Sequence, residues 1–388
     1  MPVCSLRLPL FVASLAVALA AAPARAVQDC EVGGQPVNPA NGFTTQGKTG
    51  LMRCRDRDSG LLEREQELQD GRFMGLVRFY QGGVLQKEFS VNERGNQHGR
   101  SREFAPGGQV LRDASYENGN LIGLARSYHP GGQLRRVGFH AQPGGERAYA
   151  EFTERGQLRE LRCADQPLLA PAADDARWCG FGGAAQVELY GADGRLRARS
   201  RHEGGRRVRH EVLFDNGQPS LQEELNGTRR IERSFWPEGG RRSEVQWLVA
   251  DRAAFKESEQ EFARNGTLVR DRRWADGEPL SDQVFYLNGQ PRSRTEYSGG
   301  GGAGRTLLVT EYHDNGALAR EGRFLQTGRY GQTPQGVHRR FDSRGQLAAE
   351  STYDARGRIL REKAWDESGR LLRDDEVFED GSRKAFAR

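Results

Sequence analysis

In the stretch FDSRGQLAAESTYDARGRILREKAWDESGRLLRDDEVFEDG, residues 341–381, a ring residue recurs at Phe341, Tyr353, Trp365 and Phe378, and each leads into a glycine, at Gly345, Gly357, Gly369 and Gly381. The roughly ten residues left between glycines are too few for a helix plus a strand. They suit one short strand. Leu347, Ala349, Ser351 and Tyr353 fall on one face of such a strand and Ala348, Glu350 and Thr352 on the other, the period of two that a half-buried strand requires. Asn-Gly and Asp-Gly pairs elsewhere, as at Asn118-Gly119 and Asp276-Gly277, supply the positive φ of tight hairpins.

The same beat runs outward through the chain. Tyr80, Phe104, Tyr128 and Phe152 stand 24 residues apart, with a half-step at Tyr116, so the unit is 12 residues, two to a period. After an irregular stretch it resumes at Tyr190, Phe214, Trp236, Phe262, Trp274, Tyr286 and Tyr312. The expected fold is all-β: an elongated antiparallel β-meander, or β-hairpin repeat array, of about 24 residues per two-strand repeat, in which each hairpin is stabilised by its neighbours. Composition agrees. With 50 glycines in 388 residues, a hydrophobic fraction of 36% and 29% charged residues, the chain lacks material for one thick core. An aromatic content of 9% and a formal charge of only +5 argue equally against disorder.

The N-terminus reads as a secretory signal peptide, residues 1–26: Arg7, an apolar run from Leu8 to Ala22, then Ala24-Arg25-Ala26. The apolar run is too short for a membrane span, which takes about 20 residues, and no later stretch is long or apolar enough. Cleavage lowers the charge from +5 to +3 and leaves four cysteines, Cys30, Cys54, Cys163 and Cys179. An even number in an oxidising compartment reads as two disulfides, and the sequence-local pairs Cys30 with Cys54 and Cys163 with Cys179 are favoured. Residues 24 apart in a regular meander lie two strands away, about 9.6 Å, beyond the ~7 Å reach of a disulfide. The first pair therefore needs an irregular cap. The expected organisation is a cap segment at 27–49, a first hairpin array at 50–163, a disulfide-stapled insertion at 164–184 and a second array at 185–388, with Ser298–Gly304 a flexible loop within it.

The unit in Tyr116-Glu117-Asn118-Gly119-Asn120-Leu121 and Tyr312-His313-Asp314-Asn315-Gly316-Ala317-Leu318 resembles the bacterial MORN-repeat variant family, whose members include YwqK-like antitoxin repeat proteins. The resemblance implies β-hairpin arrays that serve as binding surfaces, some neutralising a toxin. The export signal, the cysteines and the arginine-rich strands set this chain apart and place the expected role in the periplasm or outside the cell. Units such as Tyr353-Asp354-Ala355-Arg356-Gly357-Arg358-Ile359 also resemble the YD repeats of large toxin shells, although too few are present to enclose a cargo.

No pattern of catalytic residues emerges. The seven histidines are scattered without ligand spacing, the cysteines read as disulfides, and no glycine opens a phosphate loop. The acidic pairs Asp174-Asp175 and Asp374-Asp375 read as solvated. No enzyme activity, cofactor or metal is expected, and an exported protein of this mild charge has no expected nucleic-acid partner. Arginine runs such as Arg206-Arg207-Val208-Arg209 read either as a basic stripe or as one half of cross-strand ion pairs with glutamates. Trp236, Trp274 and Trp365 fall on the aromatic beat, whereas Trp178 and Trp247 fall off it. Tryptophan is favoured where proteins meet, so Trp178, Trp247, Arg206, Arg207 and Arg209 are the candidate partner contacts. The leading expectation is an exported, non-catalytic protein-binding module of immunity or antitoxin type. The alternative is an envelope scaffold that holds anionic lipid or glycan through its arginines.

Overall fold

A computed structural model describes residues 28–142, 145–250, 253–299, 304–328 and 331–387. The expected signal peptide and residues 300–303 of the glycine loop lie outside these. The described residues are 63% strand and 2% helix, in two open antiparallel sheets of 12 and 17 strands. The first runs from β1 (Gln28–Val32) to β12 (Leu158–Arg162), the second from β13 (Ala185–Tyr190) to β29 (Arg383–Ala387). Two compact units divide the chain, Met1–Ile122 and Gly123–Arg388.

The beat has a geometric origin. At many glycine turns the ring and the aliphatic residue are the cross-strand pair that closes the hairpin, as in Tyr190 opposite Leu196, Phe262 opposite Leu268, Tyr312 opposite Leu318 and Trp365 opposite Leu371; Phe214, Trp236, Tyr286 and Phe378 instead stand one step inside the turn. Such a pair contributes a few tenths to 1 kcal/mol, roughly, over alanines. Between its two members the chain makes a five-residue connection. In the first of the terminal hairpins the Gly345 amide donates to the Asp342 carbonyl at 3.0 Å and the Asp342 amide donates to the Gln346 carbonyl at 2.8 Å, with Gly345 at φ +81°. This is a type I turn closed by a left-handed glycine. The Asp342 carboxylate accepts from the amides of Arg344 and Gln346, and these backbone hydrogen bonds hold its pKa below the ordinary value.

At the opposite ends of the strands in the second sheet, three hairpins use two-residue turns instead, at Gly204-Gly205, Gly227-Thr228 and Asp276-Gly277. Asp70, Asn118 and Asp276 are the non-glycine residues at positive φ among the described residues, and each opens such a turn. The alternation explains the long period. While the two sheet margins carry different turns, the sequence repeats every two strands; from Phe341 onward both carry the glycine turn, and the period halves to 12. A further regularity is a one-residue bulge on the strand leaving the five-residue turns. Tyr312 faces Leu318 but Glu311 faces Arg320, so Ala319 is extra; Ala348 and Leu372 are its counterparts farther on. Each bulge increases the local right-handed twist.

Each unit has one compact apolar cluster. In the first, Cys30, Val32, Val37, Met52, Cys54 and Leu68 pack with Phe73. In the second, Val137, Ala148, Ala150 and Leu169 pack with Phe152, Leu158 and Trp178, among others. Within the 17-stranded sheet the buried apolar side chains are few: Val187, Ala198, Leu213, Val245 and Leu307. Charged stems cover the rest. Arg233 spans Glu224 at 3.1 Å and Glu244 at 2.9 Å, Arg339 spans Glu321 and Glu350, and Arg270 and Arg361 each grip an aspartate with two nitrogens. Trp236 lies between Arg242 and Arg264, each guanidinium 5.1 Å from the ring centre. These contacts bury methylene stems on rings and keep the charged heads wet.

Cys30 and Cys54 are bonded, and the cap is more regular than expected. β2 (Gln35–Val37) folds back on the outside of β1, so β1 pairs directly with β3 (Gly50–Asp56) and Cys30 stands opposite Cys54 with Cα atoms 4.0 Å apart. The chain detour through 38–49 replaces the strand that a plain meander would have placed between them. Replacing both cysteines by alanine removes a 24-residue cross-link and should cost about 3 kcal/mol of the first unit's stability, read from urea unfolding with and without reductant.

Candidate functional site

The insertion between the two sheets builds a cleft of about 960 Å³ within the second unit. It starts from a carboxylate that the sequence reading misjudged. Asp175 is buried, not solvated, and its Oδ2 accepts from the amides of Leu168 at 2.6 Å and Leu169 at 3.0 Å, which ties the Pro- and Ala-rich segment to the short helix Asp175–Trp178. Asp174 is exposed as expected and caps that helix at the Arg177 amide. Asp374 and Asp375 are likewise buried, because Arg361 and Arg373 supply their counter-charges.

The disulfide Cys163–Cys179, with Cα atoms 5.8 Å apart, staples the two ends of the insertion. Its far side rests on the turn between β14 (Leu196–Glu203) and β15 (Arg206–Leu213): the Gly205 amide donates to the Cys179 carbonyl at 2.8 Å and the Gly204 amide to the Gly180 carbonyl at 3.0 Å. The approach is so close that a Cβ on Gly205 would lie 2.1 Å from the Ala164 carbonyl oxygen, and one on Gly180 would lie 2.3 Å from that of His202. Arg155 closes the end of the arrangement by donating to the Asp193 carbonyl.

So held, the cleft is lined by the apolar side chains Phe152, Leu158, Trp178, Val187 and Tyr190, with Asp174, Arg177 and Glu188 at its polar positions. The Phe152 and Trp178 rings are tilted by 59° at 5.9 Å. Beneath β13, His202 pairs with Ala185 and is almost wholly buried at 3% exposure. Burial, with Arg207 and His210 nearby, pushes its pKa down to about 4. His210 is lowered by burial and by Arg207, against an opposing pull from Glu223, and shares a hydrogen bond with Ser200 at 2.7 Å.

Of the candidate contact residues, only Trp178 enters this cleft. Trp247 sits in the ladder of the second sheet with Arg230 and Lys256 at 5.0 and 5.1 Å from its ring, so cations occupy its surroundings. Arg206, Arg207 and Arg209 form no single stripe. A bulge at Val208 separates Arg207 from Arg209, and the two reach neighbouring glutamates, Glu223 at 3.4 Å and Glu224 at 3.7 Å, which alternate between faces. Arg206 and Arg209 line a smaller hollow of about 580 Å³ with Glu203 and Glu224. Sequence reasoning missed Phe152 and Tyr190 as lining residues because both sit on the aromatic beat and read as core. The signal was present in the interruption of the beat between the two cysteines. Among the described residues no group of histidine, cysteine and acidic side chains is placed to hold a metal ion, and no helix is long and apolar enough to cross a membrane.

No family model matches the sequence, and no curated protein matches it. Among solved structures, the Tc holotoxin pore of Photorhabdus luminescens aligns over 86% of this chain at 11% identity with a TM-score of 0.18, and the TcdB2-TccC3 structure over 87% at 13% identity with a TM-score of 0.15. This chain spans 23% of the length of each. A 6-phosphogluconolactonase-like protein of Bacteroides fragilis aligns over 88% of this chain and 91% of its own at 12% identity, with a TM-score of 0.12. At these scores none of the three bears on what this chain does.

Two outcomes test the site's construction. Gly205→Ala should unfold the insertion's seat and lower urea stability well beyond Gly345→Ala, which meets open space and carries only the left-handed penalty of about 1–2 kcal/mol. A histidine with a lowered folded pKa contributes stability above its unfolded value of about 6.5 and loses it as pH falls towards 4. Between pH 7 and 4 the unaltered chain should therefore lose on the order of 3 kcal/mol more than His202→Gln in urea titrations.

Proposed function

We propose that the chain is an exported protein-binding repeat module, an immunity-type partner that neutralises an effector by occluding it. The observation that carries this reading is the cleft. Most of the sheet surface consists of arginines and glutamates that satisfy one another, whereas here Phe152, Trp178 and Tyr190 line a concavity with charges at its margin. Aromatic anchors in a pocket ringed by polar groups are the usual source of binding energy between proteins. Two disulfides fit an oxidising compartment, in keeping with the export signal expected at 1–26. The scaffold alternative rests on free arginines, and Arg207 and Arg209 are already engaged by Glu223 and Glu224, so it has less support.

The test is genetic and biochemical together. Tagged protein cross-linked in the native envelope should bring down one stoichiometric partner, and that partner, expressed alone in the same compartment, should be toxic until this chain is co-expressed. Recovery of no stoichiometric partner, or toxicity that co-expression leaves unchanged, overturns the reading.

A further inference from the structure

We propose that β13 is an open docking edge, and that the cleft beside it takes an extended peptide segment of the protein partner as an added β-strand. An apolar side chain of that segment seats against Trp178 and Phe152. The inference rests on the protein-binding reading above and specifies its chemistry.

The first observation is which residues of β13 line the cleft. Ala185 and Val187 point to one face of the strand and Gln186 and Glu188 to the other, yet all four line the same space. A cavity that sees both faces of one strand abuts its edge, where the backbone amides and carbonyls lie. β13 pairs with β14 alone and ends its sheet. β12 touches β13 but belongs to the other sheet, so the ladder stops at this place.

The second observation is the contrast with the other three sheet margins. Open edges invite strand addition, and proteins blunt them with proline or with charged side chains, lysine above all. β2 carries Pro36, β12 carries Arg159 and Arg162, and β29 carries Arg383 and Lys384. β13, reading AQVELY, has neither proline nor a basic residue. The margin with the weakest guard, Glu188 alone, lies along the aromatic cleft.

The chemistry of the occupant follows. A six-residue strand offers about 20 Å of edge, enough for a segment of five or six residues joined by backbone hydrogen bonds, with alternate side chains read by the pocket. The anchor is aromatic or branched aliphatic, to match Phe152, Leu158, Trp178, Val187 and Tyr190. Of the charged lining residues, Asp174, Glu188 and Arg177, Glu188 is already paired with Arg199 at 3.6 Å and accepts from the Tyr190 hydroxyl at 2.6 Å, and Asp174 and Arg177 offset one another, so the segment needs no charge beside its anchor.

The test needs no knowledge of the partner. A phage-displayed library of random linear dodecapeptides is panned on the intact disulfide-bonded protein, and enriched peptides are synthesised with and without N-methyl groups on alternate backbone nitrogens, in both registers. The guard variant is Gln186→Lys with Glu188→Lys; both side chains are exposed, so the fold should stand, which circular dichroism and urea unfolding check. Expected are peptides of alternating apolar pattern whose affinity falls about tenfold or more on methylation in one register only, as two or more hydrogen bonds are lost, and falls similarly on the guard variant. Affinity indifferent to methylation in both registers, or unchanged on the guard variant, overturns the proposal, as does a library that enriches no more on the unaltered protein than on the guard variant. The two readings fail separately. A whole partner that still binds the guard variant sinks the docking edge and leaves protein binding intact, whereas absence of any partner for the unaltered chain sinks protein binding itself.

Discussion

An antiparallel sheet one layer thick must satisfy water on both faces, and the 17-stranded sheet meets that constraint with paired charge in place of a second layer. Its strands touch ladder neighbours rather than a facing sheet. Guanidinium groups therefore bridge across neighbouring strands, as Arg233 does between Glu224 and Glu244, and others lie over aromatic rings, as Arg241 does over Phe262 and Arg242 over Trp236. An exposed ion pair or cation–π contact contributes only about 0.2–1 kcal/mol. Repetition along the sheet, and the backbone ladder beneath it, make up for the weakness of each. Arg207 and Arg209, which suggest a basic binding stripe in the sequence, are thus committed to holding the sheet's own surface.

That commitment gives the cleft its meaning. Where a surface is already self-paired, an external protein gains little by touching it, because every new ion pair displaces an existing one. The insertion at 164–184 breaks the pattern. It brings Trp178 to Phe152, leaves Tyr190 and Val187 at its margin, and leaves one strand edge without a hydrogen-bonded partner strand. The buried Asp175 carboxylate and the close glycine contacts at Gly180 and Gly205 hold this interruption rigidly, which favours recognition by a preformed site.

Much of the fold was legible because ring, glycine and leucine recur at the same or adjoining stations of the hairpin. Phe341, Gly345 and Leu347 are entry, turn and exit of one unit, and their spacing alone implies strands. The bulged residues such as Ala319 and Leu372 were not legible, since a bulge is decided by how two strands meet and nothing at those positions differs in type from its neighbours. The pairing of Cys30 with Cys54 was legible from proximity in sequence, but the order of β2, β1 and β3 that allows it was not, because it depends on where the detour at 38–49 packs. The site was the least legible part. Asp175 resembles any surface aspartate until the chain at Leu168–Leu169 is seen to donate to it, and Phe152 and Tyr190 carry the same signature as the rings that only close hairpins.

Amide hydrogen exchange at low and raised salt tests most directly whether charge stands in for a second layer. On going from about 0.05 to 0.5 M sodium chloride, where the screening length falls to a few ångströms, protection across Arg270–Val284 should drop markedly while that of Met52–Leu68, backed by an apolar cluster, stays constant. Equal protection in both segments at both salt concentrations would mean that apolar packing holds the long sheet, and would contradict the account.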